Sequence, residues 1–296
     1  MEDDVIVLNR TDDGDLNPQL ILRLAERAVA VPTSPQDDVH IQTAVAVAWR
    51  NASQSAWQFG EALKQLRAEF AADGSFKPAP LQLAMKTFIH AADETFELYG
   101  KRLERRLWVD RQKPDRTLIK KYRDTVNRLG KPTAIICNHM KHRNRELATG
   151  VIVSERSGET VVVYRVTAHY GDLQDADRII HKDSPVISYD RSFHEIQHAL
   201  LRVDHAAGEL VAHLSENGPS GIVTAPWSLG LTASLDSLAG ADPWLASSET
   251  TRFDGLEVAK GSVTLCRLEG RRVPEPTKRT MNSTVDAIAR SIQLMM

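Results

Sequence analysis

The chain has 296 residues, 42% of them hydrophobic and 26% charged, enough for one large domain or two small ones with a substantial core. No run approaches the roughly 20 apolar residues of a membrane span, and the acidic opening "MEDDVIVLNRTDDGD" has the wrong charge for a signal peptide, so a cytoplasmic protein without membrane partners is expected. Two cysteines, Cys137 and Cys266, are too few for a disulfide framework or a zinc site of paired thiolates.

The net charge of -2 conceals an asymmetry. Residues 101–145 hold fifteen Lys and Arg against four acids, a local +11, which leaves 22 bases and 35 acids elsewhere, or -13. A basic block in an acidic protein points to a polyanion or an acidic protein surface as partner.

In chain order, Val5–Leu8 reads as a short strand and "NPQLILRLAERAVAV" as a first helix. "PTSPQDD" then starts a long one, with Ser34 as N-cap, Pro35 in the first turn and Asp37 and Asp38 on the positive end of the dipole. Its apolar stripe runs through Ile41, Val45, Ala48, Ala52, Ala56, Phe59, Leu63, Leu66 and Phe70 at spacings of three and four. A second long helix opens near Pro80, with Leu81, Met85, Phe88, Ala92, Phe96, Tyr99, Leu103 and Leu107 on one side.

"TLIKKYRDTVNRL" predicts a third helix, "GKP" a break, and "TAIICNHMKHRN" a short fourth helix entering the core through Ile135, Ile136 and Met140. From "ATGVIVSERSGETVVVYRVTAHY" the period changes to two, which marks a hairpin turning at "RSGE", and "DADRIIHKDSPVISY" adds one or two strands. Helical spacing returns in "DRSFHEIQHALLRVDHAAGELVAHL", through Phe193, Ile196, Leu200, Val203, Ala207, Leu210 and Leu214. Beyond "NGPSG" the chain is richer in Gly, Pro and Ser, with "GSVTLCRLEG" strand-like and "NSTVDAIARSIQLMM" a closing helix. The expected fold is mainly α (α+β): a long-helix bundle over 1–217 with a β insertion at about 147–188, then a β and irregular segment with a closing helix over 218–296, packed on the bundle.

Three constellations could carry chemistry. "ICNHMKHRNREL" crowds His139, Lys141, His142, Arg143 and Arg145 onto a helix; with Lys120 and Lys121 upstream they form a candidate phosphate-binding surface, and a histidine among guanidinium groups suits acid–base work on an RNA backbone. "HEIQH" is a literal HExxH, in which His194 and His198 could bind zinc and Glu195 activate a water. The extended pattern would place Gly at 201 and His at 204, where Leu201 and Asp204 stand, leaving His205 or Glu209 as substitutes. On the same helix Arg191 and His198 are seven residues apart and nearly superimposed after two turns. There is no Walker A loop, no GxGxxG after a strand and no GxSxG.

The long helices, the "ICNHMKHRNREL" stretch, the β insertion with "IIHKD" and the helix opened by "SYDRSF" resemble, over about residues 36–215, a family of uncharacterised bacterial helical proteins carrying an ICN-x-x-KH stretch. More distantly, a bundle with a polar Arg/His helix is similar to the HEPN class of RNA-cleaving and RNA-binding domains, marked by an arginine followed after four to six residues by a histidine. At "RNRELATG" the histidine is missing; Arg191 and His198, with six residues between, fit the pattern. That resemblance implies metal-independent RNA cleavage without a cofactor, His198 acting as general acid or base and Arg191 stabilising the phosphorane. It also implies a place in toxin or antiviral defence systems and a homodimer. A zinc hydrolase and a non-catalytic structural subunit are the alternatives.

Overall fold

In the computed structural model, residues 5–10, 16, 35–103, 116–142, 145–153, 160–170, 173–182, 184–214, 235–236, 243–246, 248–259, 261–272 and 278–281 are described. Among them, strand β1 (Ile6–Asn9) precedes helices α1 (Pro35–Asp73), α2 (Ala79–Glu97) and α3 (Arg116–His142). Strands β2 (Glu146–Val153), β3 (Thr160–Tyr170), β4 (Leu173–Ala176) and β5 (Ile187–Ser188) then lead into helix α4 (Tyr189–Leu214). Strands β6 (Trp244–Leu245), β7 (Arg252–Val258), β8 (Ser262–Glu269), β9 (Arg271–Arg272) and β10 (Lys278–Met281) follow. The protein is mainly α with small, chiefly antiparallel sheets. The helices expected at 17–31 and 282–296 and the turn at 156–159 lie outside the described residues.

The two apolar stripes read from the sequence meet. Phe59 of α1 stacks on Phe88 of α2 at 5.8 Å, and both rings meet Phe193 of α4 edge-on, at 5.1 and 5.7 Å. Burying each such aromatic contributes roughly 1.5–3 kcal/mol, so this cluster is a principal tie among three helices. Beside it runs a buried polar chain: Trp49 Nε1 donates to Tyr99 Oη at 2.8 Å, and Tyr99 donates to Asp204 of α4 at 2.5 Å. Tyr99 sits in the π-helical turn Leu98–Leu103 that continues α2.

The break expected at residues 130–132 is absent: α3 runs unbroken through Gly130 and Pro132. A proline in a helix interior costs about 3 kcal/mol, but Ile119, Tyr122, Val126, Leu129, Thr133 and Cys137 form one buried stripe across it, and burying these side chains offsets the loss. Gly130 lets the helices approach, since a Cβ there would lie 3.0 Å from the Phe96 ring. Continuity also sets the phase of the last turns. Cys137 and Thr133 face the core, while Ile135, Ile136 and Met140, expected as the buried shoulder, are only half-buried.

β2 and β3 form the expected hairpin, Val151 opposite Val162. β4 and β5 pair with β3, and β10 adds to β2. β1 joins β8 and β7 in a second sheet, which brings residues 6–9 beside the 252–269 hairpin. α4 lies between the bundle and both sheets and is buried on nearly all sides through its first half. Ser188 caps it, its Oγ accepting the Arg191 backbone N–H at 3.3 Å, as short polar side chains do at helix starts.

Candidate functional site

The stretch 136–145 does not present one cationic surface. His139 is buried, and its Nδ1 bonds the Asp177 carboxylate at 2.9 Å; Arg145 Nε donates to the same oxygen at 3.3 Å. Burial would raise the Asp177 carboxyl, but His139 and the backbone N–H groups of Ile179 and Ile180 outweigh it and hold it below the usual carboxylate range. His139 and Arg145, both expected on a nucleic-acid surface, therefore tie α3 to the turn after β4 and are engaged with Asp177.

On another side of the helix, Cys137 Sγ lies 3.2 Å from His90 Nδ1, and Lys141 Nζ lies 3.7 Å from Asp93. Burial pushes the Cys137 thiol up to about 11, which leaves it protonated and weakly nucleophilic. His142 is exposed. Arg143 lies outside the described residues. The histidine of "IIHKD", His181, is structural: its Nε2 accepts the Val166 N–H at 2.8 Å and its Nδ1 faces the Ser184 carbonyl at 3.2 Å.

The exposed charge of α3 is concentrated elsewhere. At 100° per residue, Lys120, Lys121, Arg128, Lys131 and His142 fall within an arc of about 100° along some 33 Å of helix, opposite the buried stripe. All five are exposed, with Asp124 the one carboxylate inside the arc, and they make no hydrogen bond or ion pair with another described residue.

The HExxH motif divides across α4. His194 is buried against β7, where its ring meets Phe253 edge-on at 6.1 Å and its Nδ1 faces the Leu256 N–H at 3.5 Å. His198, one turn on, lines a cleft instead. Glu195 is held by Arg191 at 2.9 Å, and burial raises its carboxyl against that pairing. Asp204 is taken by Tyr99. Among the described residues no group of three His, Cys, Asp or Glu side chains is disposed to hold a metal ion, so the zinc alternative finds no ligand set there.

Arg191 and His198 are not brought to one place either. About 10 Å of helix rise separates them. Arg191 reaches Glu195, Thr250 at 3.3 Å and Glu249 at 3.9 Å, with its guanidinium over the Phe253 ring. His198, two turns along the same face, lines the cleft and has no contact with Arg191.

The cleft, of about 500 Å³, is walled by α3 and α4 and closed by the first sheet and β7. At its sheet end lie Tyr164, which shares a hydrogen bond of 2.9 Å with Ser192, and a cluster of isoleucines including Ile135, Ile136, Ile180 and Ile196. At its other end stand His198, Asp254, Arg128 and Lys131. His198 is 4% exposed and its Nδ1 has no partner; burial, more than its charged neighbours Asp254, Arg202 and Arg128, pushes its imidazole down to about 4. It is a neutral group near neutral pH, able to accept at one nitrogen and donate at the other.

Comparison with known families, curated proteins and solved structures finds no match. The site therefore stands on its own geometry. Its residues beyond the sequence reading are Arg128, Lys131, Ser192, Tyr164 and Asp254. The two cations were within the basic block, whereas "RFDGLEV" around Asp254 carries no pattern that could have announced it.

Proposed function

We propose that this protein binds nucleic acid, RNA in preference to DNA, along the outer arc of α3. The observation that carries the reading is the row Lys120, Lys121, Arg128, Lys131 and His142, all exposed and none paired with another described residue. Carboxylates from elsewhere among the described residues leave this row unneutralised. Cations spaced along one helix suit successive phosphates, whose counterions they release on binding. An acidic protein surface is the other partner such a row fits, and lack of binding to any nucleic acid would favour it.

RNA cleavage is the enzymatic form of this reading, with His198 as acid or base. Arg191 is spent on Glu195, so in that form Arg128 at the cleft is the better placed cation to stabilise charge on a phosphorane.

The test is binding of fluorescent single-stranded RNA, single-stranded DNA and duplex DNA across a salt series, with the Lys120→Ala/Lys121→Ala/Lys131→Ala protein alongside. Three lost phosphate contacts should flatten the slope of log affinity against log salt by roughly 2 for a single strand. An unchanged slope, or no binding at low salt, sinks the reading. If RNA shortens with time, His198→Ala should abolish the cleavage while leaving the salt slope in place.

A further inference from the structure

The cleft between α3 and α4 has an organisation that a polyanion surface does not need. Its contents are segregated. Along α4 the lining residues follow one another by turns: Ser192 beside Tyr164 and Ile187 at the sheet end, Glu195 (held by Arg191) and Ile196 in the middle, His198 and Ala199 toward the charged end. Ile179 at the rim is 59% exposed, a large apolar side chain left in water where the cleft opens, and Ile135 and Ile136 are only half-buried along the wall.

The charged end carries both signs. Arg128, Lys131 and Asp254 make no hydrogen bond or ion pair with another described residue, and the ring of buried His198 makes none. A buried polar atom without a partner costs free energy that a ligand's hydrogen bond can recover. Glu195, the remaining carboxylate on the cleft, is already neutralised by Arg191, and Arg202 lies in electrostatic reach of His198. The unspent groups are thus two cations, one carboxylate and one neutral imidazole at one end of an aliphatic slot.

We infer that this cleft binds a free α-amino acid with a large apolar side chain. Its carboxylate meets Arg128 and Lys131, its ammonium meets Asp254 with the His198 imidazole as acceptor, and its side chain lies among Ile135, Ile136, Ile180 and Ile196. The head needs both charges because the end of the cleft supplies both. A simple anion would leave Asp254 facing it, and a simple amine would face two cations. A cleft of about 500 Å³ is within the usual range of small-molecule sites and accommodates side chains up to the size of an indole.

The inference is independent of nucleic-acid binding, and because Arg128 and Lys131 also belong to the proposed nucleic-acid arc it is tested without nucleic acid present. Titration calorimetry on the full chain compares leucine, phenylalanine and tryptophan with glycine, with 4-methylpentanoate, which lacks the ammonium, and with isopentylamine, which lacks the carboxylate. The expected order has the apolar amino acids at least tenfold tighter than glycine and than either single-charge analogue. Asp254→Asn, at a half-exposed position, should weaken leucine at least tenfold while leaving 4-methylpentanoate unchanged or improved, and Arg128→Gln should weaken both. Leucine no tighter than 4-methylpentanoate would make this an anion site and overturn the assignment. Leucine no tighter than glycine, or no binding by any apolar amino acid, would overturn it as well.

Discussion

His198 and His181 are both buried, at 4% and 8% exposure, and burial lowers both to about 4, yet replacing each by leucine should affect stability very differently. His181 accepts the Val166 N–H and faces the Ser184 carbonyl. His181→Leu leaves the Val166 amide buried and unpaired, and at about 1–3 kcal/mol for such a group plus the lost bond to Ser184, the cost at pH 7 is about 2–4 kcal/mol. His198 has no partner to abandon, so His198→Leu removes a buried unsatisfied polar group and should be neutral or stabilising by about 1 kcal/mol. The pH dependence separates this from a generic tolerance of leucine. A histidine at 6.5 when unfolded and about 4 when folded takes up its proton first in the unfolded chain. Its contribution is therefore intact above pH 6.5 and is lost as pH falls toward 4, by about 1.4 kcal/mol per pH unit and roughly 3 kcal/mol over the window. Glu195 and Glu249, raised by burial, act in the opposite sense but are common to both proteins and cancel in the difference. Urea unfolding followed by circular dichroism at pH 5, 6, 7 and 8 should show His198→Leu pulling ahead of wild type as the pH drops. If it loses as much as His181→Leu at pH 7, or if its advantage does not grow on acidification, the account of an unpartnered His198 is wrong.

Gly130→Ala should lower stability by about 1–3 kcal/mol through overpacking against Phe96, despite alanine's better helix propensity; a melting temperature at or above wild type in thermal denaturation would contradict the close approach of α2 and α3. Cys137, with its thiol near 11, should be about one thousandth thiolate at pH 8, so in a Cys266→Ser background it should react with a disulfide reagent orders of magnitude more slowly folded than in urea, and equal rates would show it accessible and activated. Asp177→Asn removes the charge shared by His139 and Arg145 and should cost about 3 kcal/mol. Hydrogen exchange should then quicken at 139–142 and 177–181 before it does in α1, and uniform quickening would mean the cluster does not pin that corner.

The long helices were legible because their apolar residues recur at three and four over many turns, and Phe59, Phe88 and Phe193 are where those stripes converge. What period could not reveal was the partner of each stripe. Trp49 was absent from the predicted stripe of α1 yet is fully buried, since its indole N–H meets a hydroxyl supplied by Tyr99, fifty residues on. "GKP" carried the local signature of a break, and local propensity lost to tertiary burial: Leu129, Thr133 and Cys137 stay in phase only if the helix continues. β1 and β10 obtain their partners from the far end of the chain and from the inserted hairpin, pairings no spacing rule encodes.

The site was less legible for a reason of geometry. On a helix, four residues amount to about 40° of rotation beyond a full turn, and that is enough, on a helix buried from several sides, to send neighbouring motif positions to different surroundings. His194 goes to β7, whereas Glu195 and His198 both reach the cleft, Glu195 already bound to Arg191, so the two histidines of HExxH do not share a site. The same holds on α3, where His139, Lys141 and His142 lie within four positions yet meet Asp177, Asp93 and solvent respectively. The composition of a short polar stretch says which charges the fold must place. Which of them remain available is decided by carboxylates that arrive from elsewhere, and on α3 those carboxylates take the charges at its end and leave Lys120, Lys121, Arg128 and Lys131, the part of the basic block that carried no motif at all.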